Sequence, residues 1–264
     1  MANNNINLNT KAKNTWCPGC SNFAILNSFK KAVKELIKTG FAKKNFVLIS
    51  GIGCSSKIID YIDLNSLSCL HGRPVVSATG VKLANPDLKP IVFAGDGGTY
   101  NEGVSHLIHA AKRNSDITVL IHDNRNFALT TSQFTATSPK GFKGGSSPKG
   151  SIEAPFDPLE LMLASNGSFI ARSYAFKMDH LKEIIKKAIK HKGFSFVEIL
   201  QPCISFYNNT KDYNKRIYEI EDSNLDSKEK ALEKINEWDY NDEKSKIPIG
   251  IFYNKKRKSF EGQV

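Results

Sequence analysis

The 264-residue sequence has no apolar run near the roughly 18 consecutive residues that a membrane-spanning helix requires. Its opening stretch, MANNNINLNTKAKN, lacks the apolar core of a secretory signal. Both absences lead to the expectation of a cytoplasmic protein with no membrane partner. Cysteine is scarce, five residues in all, and outside a secretory context five cysteines do not make a disulfide framework. No internal repeat is found, and 40% hydrophobic with 24% charged residues excludes a disordered or fibrous chain.

Positive charge, by contrast, is plentiful: the formal net charge is +11. From Asn208 onward 12 Lys/Arg face 12 Asp/Glu, so the whole excess lies in residues 1–207. A basic body attracts nucleic acid, an acidic protein or small anions. The lysines are spread through helical patterns such as Lys182 to Lys192, without a dense arm or an aromatic platform, so nucleic acid is not the expected partner.

Phe23, Leu26, Phe29, Val33, Leu36 and Ile37 recur at helical spacing and Gly40 supplies a stop. Phe46–Ile49, Ile91–Ala94, Ile117–Ile121 and Phe196–Leu200 are short apolar runs that read as buried parallel strands, with helical patterns at Val104–Lys112 and Leu181–Ile189 between them. The alternation predicts an α/β fold, a doubly wound parallel sheet. Ligands of such sheets sit beyond the carboxyl ends of the strands, which here carry Ser50-Gly-Ile-Gly-Cys54, Gly95-Asp-Gly-Gly98 and His122-Asp-Asn124. The aperiodic stretch 130–155 is too long for an ordinary connection and is expected to be functional or disordered. Residues 1–207 are expected to form the cofactor domain, and 208–264 a charged peripheral extension, with one helix near Ser227–Trp238, that wraps a partner.

Asp-Gly alone is an ordinary turn signal. After an apolar strand and before a helix, however, Gly95-Asp96-Gly97 lets the backbone approach a diphosphate, and Asp96 offers an oxygen to a bridging magnesium ion. Asn124 follows 28 residues later, about one helix plus one strand, which places a second oxygen ligand at the neighbouring strand end. The pattern resembles the thiamine-diphosphate motif, which implies Asp96, Asn124 and the main-chain carbonyl of Asn126 as magnesium ligands.

Cys17-Pro-Gly-Cys20 by itself fits a redox dithiol, half a zinc site or two iron–sulfur ligands. Cys54 lies in a strand-end loop and Cys203 follows the last strand, so four thiols, Cys17, Cys20, Cys54 and Cys203, are expected to converge beside the diphosphate site, which suits a 4Fe-4S cluster. Cys69 is left over as a buried apolar thiol.

Trp16-Cys-Pro-Gly-Cys20, Ser50-Gly-Ile-Gly-Cys-Ser-Ser-Lys57, His71-Gly-Arg73, Thr79-Gly-Val-Lys-Leu-Ala-Asn-Pro-Asp87, Gly95-Asp-Gly97, His106-Leu-Ile-His-Ala-Ala-Lys-Arg-Asn114 and Ser195-Phe-Val-Glu-Ile199 occur in this order. Over residues 15–207 the chain thereby resembles the β subunits of 2-oxoacid:ferredoxin oxidoreductases. The resemblance implies cluster ligation by the four cysteines and thiamine-diphosphate contacts at Ile52, Gly53, Cys54, Ser55, His71, Gly97, Gly98, Ala128 and Leu129. It further implies oxidative decarboxylation of a 2-oxoacid, 2-oxoglutarate or pyruvate, to an acyl-CoA, with electrons passing through the cluster to ferredoxin. One cofactor domain is half of what thiamine diphosphate needs, so an α subunit is expected to supply the pyrimidine-binding domain and the activating glutamate. Lys57 and Thr131 are candidates for lining the substrate pocket.

Four positions depart from the family pattern. Gly98 stands where the family has Asp, Asp123 where it has Asn, and Phe127-Ala128 where it has Tyr-Gly. A rival reading within enzymes is a non-redox thiamine-diphosphate decarboxylase whose cysteines bind zinc or nothing. A rival from another class is a zinc-stabilised basic binding module.

Overall fold

A computed structural model of the chain describes residues 6–221, 225–242 and 244–263. Helix α1 (Asn22–Lys38) buries Ile25, Leu26, Phe29, Ala32, Val33 and Leu36, the three-and-four spacing of one helical face. Its end at Thr39 is followed by Gly40 with φ +109°, a left-handed turn that favours glycine. The strands β1 (Phe46–Ser50), β2 (Asn65–Ser68), β3 (Lys89–Gly95) and β4 (Thr118–Asp123) follow, with α2 (Pro74–Ala84) and α3 (Val104–Arg113) as crossovers. Then come α4 (Pro158–Ala164), β5 (Phe169–Tyr174), α5 (Met178–Lys190) and β6 (Ser195–Leu200). The last elements are α6 (Thr210–Arg216), β7 (Ile217–Glu219), α7 (Lys228–Ile235) and β8 (Ile247–Asn254).

Among the described residues these form one eight-stranded sheet of order β2-β1-β3-β4-β6-β5-β8-β7. All pairings are parallel except β5 with β8, so the expected doubly wound sheet carries an antiparallel junction near one edge. Strand side chains alternate between two cores. Leu48, Phe93, Leu120 and Val197 pack with α1 and α5, whereas Ile49, Val92, Val119 and Phe196 pack on the opposite face with α2, α3, α4 and α7. Covering both faces explains why the central strands are apolar without alternation in sequence.

The C-terminal segment differs from the expected peripheral extension. Ile247–Tyr253 is buried within the sheet, and Tyr213, Trp238, Tyr240, Ile247 and Ile249 close a third core over Tyr174 and Leu200. The segment's high charge concealed this, because a strand needs only one short apolar run to be buried. The helix foreseen at Ser227–Trp238 is the shorter α7, capped by the Ser227 hydroxyl accepting from the Lys230 N–H. No helix among the described residues is long and apolar enough to cross a membrane.

Candidate active site: two adjoining clefts at the strand ends

Strands β1, β3 and β4 are neighbours in register, Ser50 beside Phe93 and Gly95 beside His122, so the three loops that follow them meet at one place. The first cleft there is lined by Ile52, Gly53, Cys54 and Ser55 from the β1 loop and by His71. Gly95, Asp96, Gly97 and Gly98 from the β3 loop, and Asn124 with Asn126–Thr130 from the β4 loop, complete it. After Asp96 the chain winds through a wide turn, Gly97–Glu102, into α3. Gly97 is demanded by packing, since a Cβ there would collide with the Phe127 ring.

Asp96 is 1% exposed, and its Oδ2 lies 3.1 Å from the Thr137 hydroxyl, which is also 2.9 Å from Asp123 Oδ1. Burial pushes the Asp96 carboxyl up to about 6, against the lowering effect of hydrogen bonds from Thr135 and Thr137. Burial also raises Asp123 well above the usual carboxylate range, helped by the charges of Asp96 and Glu198. Asn124 donates from Nδ2 to Gln201 Oε1 (3.1 Å), while its Oδ1 accepts from the Asn126 N–H (3.1 Å). The side-chain oxygen of Asn126 and Oδ2 of Asp123 are buried without hydrogen-bond partners. Buried oxygens without partners are costly, and a cation is one partner that would satisfy them.

The second cleft is lined by Cys17, Cys20, Cys54 and Cys203, together with Trp16, Lys57, Ile204 and Phe206. All four thiols are free. The turn at Gly19 (φ +80°) brings the Cys20 N–H to the Cys17 carbonyl at 3.0 Å. Gln201 donates from Nε2 to the Ser21 hydroxyl (2.7 Å), and Ser21 donates to the Pro202 carbonyl (2.9 Å), so the turn bearing two thiols is tied to the segment bearing the fourth. Trp16, 7% exposed, donates from Nε1 to the Cys54 carbonyl at 2.7 Å and packs edge-on against Tyr61. Burial pushes Cys20 up to about 11, with smaller contributions from the other three thiols, and burial likewise raises Cys54 against the opposing charge of Lys57. Among the described residues no three His, Cys, Asp or Glu side chains converge closely enough to hold a single metal ion.

Of the residues singled out from sequence, the nine assigned to thiamine diphosphate all line the first cleft, as do Asp96, Asn124 and Asn126. Lys57 lies instead in the thiol cleft, with Nζ 3.4 Å from the Thr15 carbonyl. Thr131 is exposed with φ +70°, and its neighbour Thr130 takes the place in the cleft lining. Sequence reading missed Thr137, Gln201 and Arg125, which hold the loops in place. Thr137 sits in the aperiodic stretch, and no local pattern marks it. Cys69 is half-buried and apart from both clefts.

A mostly parallel sheet with two clefts at its strand ends, one walled by the buried Asp96 and by glycines, points to the class of diphosphate-binding domains of thiamine-dependent enzymes. Residues 51–199 match the family model of the C-terminal TPP binding domain of thiamine pyrophosphate enzymes. Residues 203–264 match that of the C-terminal part of the pyruvate ferredoxin oxidoreductase β subunit. The chain belongs to the β subunits of the 2-oxoacid:ferredoxin oxidoreductases.

It is 43% identical over 256 residues to the 2-oxoacid:ferredoxin oxidoreductase β subunit of Saccharolobus solfataricus, covering 91% of this chain and 81% of that one. It is 41% identical over 188 residues to the 2-oxoglutarate synthase subunit KorB of Archaeoglobus fulgidus, covering 71% and 69%. Among solved structures it superposes with a TM-score of 0.91 and 32% identity, over 97% of this chain and 86% of the other, on a chain of 2-oxoglutarate:ferredoxin oxidoreductase from Magnetococcus marinus, determined with 2-oxoglutarate, coenzyme A and succinyl-CoA bound.

Proposed function

We propose that this oxidoreductase subunit binds magnesium and thiamine diphosphate in the first cleft and a 4Fe-4S cluster in the second. Completed by an α subunit with the pyrimidine-binding domain, it converts a 2-oxoacid and coenzyme A to an acyl-CoA and delivers electrons to ferredoxin. The observation that carries this reading is the shared wall: Cys54, Asn124, Ala128 and Leu129 line both clefts, so redox centre and coenzyme would be separated by single side chains. The complex of the Magnetococcus relative makes 2-oxoglutarate the first substrate to test, with pyruvate second.

The residues present fit each group. For magnesium there are the Asp96 carboxylate, the Asn124 amide and the Asn126 carbonyl, hard oxygen donors beside buried oxygens that lack partners. For the diphosphate there are the backbone at Gly97 and Gly98, which lines the cleft, and the imidazole of His71, whose ring nitrogen Nδ1 is 3.6 Å from Glu102. For the cluster there are four thiols around a cavity.

Bound thiamine diphosphate supplies the carbon nucleophile and electron sink for decarboxylation, and a bound cluster supplies one-electron acceptance. The chain's own contribution is positional. Thr137 holds the Asp96 carboxylate, Gln201 orients the Asn124 amide, and Phe127 packs on Gly97 so that the diphosphate loop cannot collapse. Trp16 donates to the Cys54 carbonyl and so fixes the loop that carries this thiol, and burial raises Cys20 and Cys54 above the ordinary thiol range. The basic body favours an anionic substrate and an acidic electron carrier.

The test is anaerobic purification of the assembled enzyme and a viologen-reduction assay with 2-oxoglutarate, pyruvate and longer 2-oxoacids. Brown protein that bleaches with dithionite, and reduction that requires coenzyme A, are expected. Colourless protein that decarboxylates without reducing viologen would establish the non-redox rival instead.

A further inference from the structure

Arg125 lies between Asn124 and Asn126, and its backbone is in the left-handed region at φ +59°. An arginine gains nothing there from conformational preference, so something in the fold must hold it. Its side chain is 5% exposed and donates from Nε to the Thr137 carbonyl (2.6 Å) and from Nη2 to the Tyr240 carbonyl (2.7 Å). Its guanidinium carbon stands 5.5 Å from the Tyr240 ring centre. The backbone is pinned as well: the Arg125 N–H donates to Asp123 Oδ1 (3.0 Å) and its carbonyl accepts from the Ser138 hydroxyl (2.6 Å).

Each end of this strut is itself fixed. Thr137 stands within hydrogen-bond distance of both Asp96 and Asp123. Tyr240 is stacked on Trp238 with ring centres 3.9 Å apart, accepts from Arg172 Nη2 (2.9 Å), and donates to Glu198 Oε1 (2.7 Å). A second strap runs parallel to it, from the Lys140 N–H to Asn241 Oδ1 (3.1 Å). Among the described residues none from 208 onward lines either cleft, so the C-terminal segment grips the loop 124–126 and the stretch around Thr137 from outside, through the buried Arg125 and the Lys140–Asn241 strap.

We propose that Arg125 is a positioning residue through which the C-terminal segment at Tyr240 sets the affinity of the site for its divalent cation. The proposal rests on the reading of Asp96, Asn124 and Asn126 as the magnesium site. Without the strut, Asn124 and Thr137 keep their identities but lose their fixed separation, so the metal must order the loop as it binds and its apparent affinity falls. Loss of two charge-assisted hydrogen bonds, part of it recovered as backbone relaxation, corresponds to a change of about tenfold.

The experiment uses the assembled enzyme, freed of cofactor with a chelator, and titrates magnesium at saturating thiamine diphosphate by calorimetry. R125G relieves the left-handed backbone while removing the strut, R125K keeps a charge with a single point donor, and D96A tests the metal reading itself. An apparent magnesium dissociation constant raised about tenfold in R125G and by a smaller factor in R125K supports the proposal. Unchanged midpoints in both, with lowered melting temperature alone, would make Arg125 merely structural and overturn it. If R125G fails to assemble, the R125K midpoint decides in the same way. If D96A binds magnesium as the natural chain does, the metal reading fails, and the strut proposal with it. If D96A abolishes binding while the Arg125 variants bind normally, only the strut proposal fails.

Discussion

Replacing Gly97 by alanine tests whether the diphosphate loop owes its shape to Phe127. The added Cβ would collide with the Phe127 ring, while no backbone atom lies among its three nearest neighbours, so the collision is confined to one side chain. Phe127 is half-buried and makes an edge contact with His71 at 6.5 Å between ring centres. Forcing a methyl into such a contact costs about 1–3 kcal/mol, which lowers the melting temperature by roughly 2–12 °C for a domain of this size. The ring cannot move without disturbing the His71 side of the cleft, so weaker thiamine-diphosphate binding should accompany the loss.

The decisive measurement is a double-mutant cycle. F127A alone loses ring packing, and in the F127A background G97A should cost almost nothing, giving a coupling of about 1 kcal/mol or more between the two sites. Thermal unfolding and thiamine-diphosphate titration should both show it. Additive effects, with G97A equally harmful whether or not the ring is present, would refute the argument and place the importance of Gly97 in direct contact with the ligand.

Substituting serine for Cys203 should abolish or convert the iron-dependent absorption of anaerobically purified enzyme, whereas C69S should leave the spectrum and iron content unchanged, since only Cys203 shares a cavity with the other three thiols. G72A should cost more than about 2 kcal/mol by denaturant unfolding, because φ is +67° and the new Cβ would lie 2.7 Å from the backbone of Glu102. The nearly buried pair Lys82–Asp116, 2.7 Å apart, predicts a pH dependence. Burial raises the Asp116 carboxyl, but the hydrogen bond from Lys82, the Gly193 N–H and the charge of Lys89 together bring it below its ordinary value. Its contribution is therefore present above about pH 3.9 and lost as pH falls through the lower folded value. D116N should lose roughly 1–3 kcal/mol at neutral pH, because Lys82 keeps the Pro86 and Leu88 carbonyls but loses its carboxylate partner, and the gap to the natural chain should narrow in unfolding experiments below pH 4.

Local chemistry in the sequence was sufficient for the central half of the fold. Phe46–Ser50, Lys89–Gly95 and Thr118–Asp123 are apolar because both faces are covered, and each ends in a small or polar residue where the sheet opens to a ligand. That is a short-range property, so periodicity and turn residues reveal it, and with it the three loops of the first cleft. The four thiols were legible for the same reason, as residues placed just beyond strand or helix ends. The antiparallel strand Ile247–Asn254 was not, because charged neighbours outweigh one short apolar run in any window of composition.

Tertiary structure alone decided the supports of the site. Thr137 reaches Asp96 across 41 residues and Arg125 reaches Tyr240 across 115, and a hydrogen bond over such a span leaves no periodic trace, since neither partner's neighbours need to be of any particular kind. It also placed Lys57 beside the thiols and put Thr130 in the cleft lining in place of Thr131. A one-residue difference in which side chain faces the cleft follows from the turn at 128–130, whose geometry depends on what packs against it. Sequence thus determined which chemical groups arrive at the strand ends, and the packed chain determined how rigidly, and by what distant partners, they are held.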